Sequence, residues 1–88
     1  MAIKVTPDEL EAMASKLEGF AGQASTLASS LDAAVNNALN AWEGNAQKDY
    51  AARYAEIKPI LTTQLPQLIR DMAADAKLRA AKYRQADA

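Results

Sequence analysis

Between Leu10 and Trp42 the first, fourth and fifth positions of a seven-residue repeat are all apolar. Leu10, Leu17, Ala24, Leu31 and Ala38 form one column; Met13, Phe20, Leu27, Ala34 and Ala41 form the second; Ala14, Ala21, Ala28, Val35 and Trp42 form the third. Polar residues such as Glu11, Lys16, Glu18, Gln23, Ser29, Asp32 and Asn36 occupy other positions. Three adjacent columns make an apolar stripe wider than the seam of a two-stranded coiled coil, and a helix with such a stripe packs in a bundle. Thr6-Pro7-Asp8-Glu9 supplies its start: a hydroxyl N-cap, a proline at the first helical position and acids over the positive end of the helix dipole. A first helix is therefore predicted over about 7–41. Gly19 and Gly22 lie on its polar side, each costing about 1 kcal/mol relative to alanine; the pattern does not account for them, and close approach of another surface is the one role it leaves open.

The chain then turns at Trp42-Glu43-Gly44-Asn45. Gly44 can adopt a left-handed conformation without steric cost and end the first helix, and Asn45 can cap the next. A connection over 42–45 is short enough to force the two arms antiparallel. The second helix is predicted over about 46–85. Tyr50, Tyr54, Ile57, Leu61, Leu65, Leu68, Met72, Ala76, Arg79 and Tyr83 recur at steps of three and four, with an eleven-residue period that runs nearly straight. Pro59 and Pro66 each remove a backbone donor and crowd the preceding turn, at a cost of order 3 kcal/mol inside a helix. Because the stripe continues in register across both, one kinked helix is expected rather than two.

Composition narrows the function. Eighty-eight residues make one small domain, 1–88, and much of its apolar half is alanine, so the core is thin and a partner or self-association is expected. Cysteine and histidine are absent, which removes disulfides, the commonest general base and the commonest metal ligand together. No catalytic residue, cofactor or metal site is assigned. Asp71 and Asp75, at i and i+4, read as an ordinary solvated pair, and no glycine-rich phosphate loop is present. Ten basic against eleven acidic residues leave no field for nucleic acid; Lys77, Arg79, Lys82 and Arg84 read as cations at the negative end of a helix dipole. No run is long and apolar enough to span a bilayer, and Met1–Glu11 lacks the apolar stretch of a secretory signal peptide. The expectation is a soluble protein that bypasses the general secretory route and does not insert stably in membranes. A membrane-active helix is the weaker reading, since the polar face is poor in Lys and Arg.

A helical hairpin of this length cornered by Trp42-Glu43-Gly44 resembles the WXG family, the small substrates of bacterial type VII secretion. Tyr83-Arg84-Gln85-Ala86-Asp87 is similar to the Tyr-X-X-X-Asp/Glu export signal of these systems and falls where the family carries it, at the end of the second helix. The resemblance spans essentially the whole chain and implies an all-α antiparallel hairpin that dimerises into a four-helix bundle. It further implies that the protein is made in the bacterial cytoplasm and exported folded by an ATPase-driven membrane complex, as cargo or as an escort for a larger toxin. It also implies a composite recognition end, with Trp42 and Gly44 of one subunit near Tyr83 and Asp87 of its partner. Each residue keeps a plainer role alongside: Trp42 in the core or interface, Gly44 as a backbone requirement, Tyr83 in packing and Asp87 at a frayed end. Dimer contacts are expected at Leu17, Phe20, Leu27, Leu61, Leu65 and Leu68, with the partner either a second copy or a related hairpin. The alternative is a cytosolic adaptor that pairs with the helical N-terminus of a larger toxin and completes its export signal.

Overall fold

The computed structural model describes residues 5–87. Helix α1 runs from Pro7 to Ala41, and the returning arm consists of α2 (Asn45–Pro59), a π turn (Ile60–Gln64) and α3 (Leu65–Asp87). The two arms lie antiparallel in a rod of 66 × 19 × 18 Å, with α3 providing most of the surface packed on α1.

α1 begins as its sequence dictates. Thr6 Oγ1 accepts the Glu9 N–H at 3.1 Å, Pro7 occupies the first turn, and Asp8 and Glu9 sit at the positive end of the dipole. The wide apolar stripe is then divided between two faces. Its third column alone is buried against the returning arm, at Ala14, Ala21 and Ala28. The second column, Met13, Phe20 and Leu27, faces outward.

The returning arm behaves likewise. Its buried residues are Pro66, Ala73, Ala76 and Ala80; Pro66, Ala73 and Ala80 each stand one position beyond the exposed Leu65, Met72 and Arg79 of the periodic series, while Ala76 belongs to that series and is buried. Ala14, Ala73 and Ala76 form one buried cluster, with Leu17 packed against it. The hairpin is thus closed by alanine on alanine. Each alanine methyl removed from water contributes on the order of 0.8 kcal/mol, so the bulk of the apolar side-chain area does not serve the isolated hairpin.

Both prolines lie within a continuous helical path. Between them the helix widens into the π turn, where the Leu65 N–H donates to the Ile60 carbonyl. Pro66 cannot donate and its ring crowds the carbonyl four residues back in a regular α-helix, so a widening just before it relieves the clash. Thr62 Oγ1 donates to the Lys58 carbonyl at 2.9 Å, one helical turn back, as a side-chain bond within this segment. The single expected helix is therefore interrupted, by a wider turn rather than by a break.

Candidate functional site

Three features carry the residues singled out above: the corner, the opposite end of the rod and the outward apolar face. At the corner, α1 ends on Trp42, whose backbone is extended and whose N–H donates to the Leu39 carbonyl at 3.3 Å. Gln47 Nε2 donates to the same carbonyl at 3.1 Å, so α2 closes the end of α1. Gly44 has φ 110° and ψ −177°, a region open in practice to glycine alone. It stands as the N-cap of α2, with its carbonyl accepting the Lys48 N–H at 3.3 Å, while Asn45 is the first helical residue. The expected left-handed C-cap at Gly44 and side-chain cap at Asn45 are replaced by this arrangement, because an extended Trp42 ends α1 two residues before the glycine. A Cβ on Gly44 would meet nothing within 4 Å, so its requirement is conformational and not one of space.

Trp42 stacks at a tilt on Tyr50, ring centroids 5.9 Å apart, and the pair borders an open groove floored by Ala34, Val35, Ala38 and Leu39. Glu43 is exposed beside it.

At the other end of the rod, Tyr83 is half-buried and lines a hollow with Arg79, Lys82 and Ala86. Asp87 is the last residue of α3, and its side chain lies outside the described residues. Arg84 pairs with both Asp8 and Glu11 at the start of α1, and Lys77 pairs with Glu18. These basic residues therefore bridge the two arms as well as facing the helix dipole. Their order along the chain, acid at the start of α1 and base at the end of α3, suits only the antiparallel arrangement. Trp42 and Tyr83 of one chain stand at opposite ends of the molecule.

Of the expected contact residues, Phe20 and Leu27 on α1 and Leu68 on α3 keep 52%, 67% and 60% of their surface exposed, and Leu65 is exposed beside them. Leu17 and Leu61 are half-buried, Leu17 against the alanine cluster and Leu61 in a groove with Ala24, Ala28 and Leu31. Met13, Ile57 and Met72 also belong to the open face. All three lie on the periodic stripes of the sequence, which is the signal that identifies them.

A polar cluster in mid-rod has no counterpart in the sequence reading. Tyr54 Oη donates to Asp32 Oδ1 at 2.8 Å, Lys58 Nζ lies 3.2 Å from the same oxygen, and Asn36 Nδ2 donates to Oδ2 at 3.2 Å. The Tyr54 hydroxyl, then Lys58, hold the Asp32 carboxyl below its ordinary range; desolvation, then the bond to Asp32, push the Tyr54 phenol up. This cluster ties α1 to α2, where few apolar contacts do. Only the tertiary fold joins residues 22 positions apart, so no local motif marks it.

Among the described residues no cluster of three His, Cys, Asp or Glu could hold a metal, and no helix is long and apolar enough to cross a membrane. Asp71 accepts from Gln67 at 2.9 Å and Asp75 from Arg79 at 2.9 Å.

The class defined by this geometry is an alanine-seamed helical hairpin with a Trp-X-Gly corner. The family model "WXG100: Proteins of 100 residues with WXG" matches residues 2–88, and the chain belongs to that family. Among solved structures it is similar to the secreted protein EsxB of Bacillus anthracis str. Sterne, at 27% identity and a TM-score of 0.77, covering all of this chain and 99% of that one. It shares the fold of Geobacillus thermodenitrificans EsxA, at 21% identity and a TM-score of 0.79, over 98% of this chain and 92% of that one. No curated protein matches it.

Proposed function

We propose that this protein is a non-enzymatic substrate of a type VII secretion system, exported folded as a homodimer in which two hairpins form an antiparallel four-helix bundle. The observation that carries the reading is the row of large apolar side chains left exposed on both arms, Met13, Phe20 and Leu27 with Leu65, Leu68 and Met72, on a chain of the WXG100 family. A soluble monomer rarely leaves so continuous an apolar face open. A second hairpin laid along it buries the bulky side chains that the alanine seam leaves outside.

Family membership and the secreted EsxB relative support export. Within one chain the Trp42 corner and Tyr83 are too far apart to act together. In an antiparallel pair each corner comes beside the partner's terminal end, so Trp42 and Gly44 with Tyr83 and Asp87 form one recognition surface for the secretion ATPase. Export from the native bacterium tests this, comparing the parent, Tyr83→Ala and a strain lacking the ATPase. The expected result is parent protein in the medium and loss in both other cases. Retention of the parent in the cytosol, with monomeric protein by light scattering, would instead favour the adaptor that completes a larger toxin's signal.

A further inference from the structure

Beyond Leu61 the returning arm carries two interleaved apolar series. Leu65, Leu68 and Met72 follow Leu61 by steps of four, three and four, which an uninterrupted α-helix would keep on one face. Pro66, Ile69, Ala73, Ala76 and Ala80 follow Leu61 by five, then by three, four, three and four. In the structure the second series faces α1, where Pro66, Ala73, Ala76 and Ala80 are buried, while Leu65, Leu68 and Met72 are exposed. The step of five falls on the π turn, marked by the bond from the Leu65 N–H to the Ile60 carbonyl. A π turn takes one residue more than the α turn it replaces.

We propose that the π turn at Ile60–Gln64 absorbs one extra residue and thereby decides which apolar series closes the hairpin and which is presented to a partner. The competing register is worse for the hairpin on two counts. It turns Leu65, Leu68 and Met72 onto a seam sized for alanine, and three residues beyond Ala76 it brings Arg79 to the same face. The observed register sets alanine on alanine as far as Ala80, and Pro66 favours it because its ring is incompatible with a regular α turn. One surplus residue therefore creates the outward face. That this face binds a second copy rests on the function proposed above; the register itself does not.

Two changes in residue count test it, both made with Pro66→Ala so that a plain α-helix is permitted. Deleting Thr63 shortens the step from Leu61 to position 66 to four, which an α-helix keeps in phase. Inserting one alanine between Thr63 and Gln64 lengthens it to six, which neither turn accommodates. Register is read by a disulfide between Ala14→Cys and Ala73→Cys, since the chain has no other cysteine and both positions lie in one buried cluster. The deletion variant is expected to form this disulfide and to dimerise within about tenfold of the parent; the insertion variant loses the disulfide and dimerises more than about 100-fold more weakly. A disulfide lost on deletion, or kept on insertion, overturns the proposal. A parent that forms the disulfide but stays monomeric overturns the dimer and leaves the register standing.

Discussion

Gly44 and Asp32 are the two residues whose local conditions lead to sharp expectations. Gly44 holds a backbone conformation that side-chain-bearing residues do not tolerate, although space around it is open. Gly44→Ala is accordingly expected to destabilise the hairpin by about 1–3 kcal/mol through strain alone, seen as a lower Tm in thermal circular dichroism; an unchanged Tm would mean the corner rearranges freely. Asp32 is held below its ordinary value of 3.8 in the folded state, chiefly by the Tyr54 hydroxyl and then by Lys58. A carboxyl depressed by folding contributes stability that is present above 3.8 and is lost as the pH falls from there through the lower folded value. Asp32→Asn should therefore reduce the loss of stability on acidification in that window, measured by urea unfolding at a series of pH values. Equal slopes for parent and variant would show that the cluster does not couple to folding.

At the scale of the element, each helix carries more apolar surface than its hairpin partner uses. On α1 the buried positions are the three alanines of the third column, Ala14, Ala21 and Ala28, and on α3 they include Ala73, Ala76 and Ala80. Small side chains let the helices approach closely, and such a seam has no room for growth. Ala21, at 0% exposure, is the cleanest test. Ala21→Leu is expected to cost about 1–3 kcal/mol by overpacking, although leucine has good helix propensity; a raised midpoint in urea would show that the seam has room for the larger side chain. Gly19 and Gly22 lie elsewhere, on the open side of α1, where an added Cβ meets nothing. Nothing within the hairpin accounts for them.

For the whole molecule, the partition of side chains decides behaviour. Alanines hold the hairpin together, ion pairs such as Arg84 with Asp8 and Glu11 match its ends, and the bulky residues wait on one outer face. Exposed ion pairs contribute little, about 0–1 kcal/mol each, so they select the antiparallel register more than they stabilise it. Phe20 is half-exposed within the open face and away from the seam. Phe20→Asp should leave the helical signal of the hairpin in place but yield a monomer by light scattering, because association would bury an unpaired carboxylate. A dimer unchanged by that substitution would move the interface elsewhere.

The chain alone determined the elements that depend on near neighbours. The start of α1 at Thr6–Glu9, the turn around Trp42–Gly44 and the helical period of both arms are encoded within a few residues of each other, and so are the Trp-X-Gly corner and the Tyr83–Asp87 spacing. Periodicity showed which residues are apolar and recurrent, yet it could not say which of two adjacent columns meets the other arm. The tertiary structure left Leu65, Leu68 and Met72 of the periodic series exposed and set Ala76 of that series against α1 together with Pro66, Ala73 and Ala80 from the column beside it. That choice depends on a one-residue change of phase at the π turn and on the close fit of two alanine rows, neither of which exists until the arms are side by side. The Asp32–Tyr54–Lys58 cluster and the pairing of Arg84 with Asp8 and Glu11 were decided in the same way. They join charges far apart in sequence, and only the antiparallel closure of the hairpin brings them within hydrogen-bonding distance.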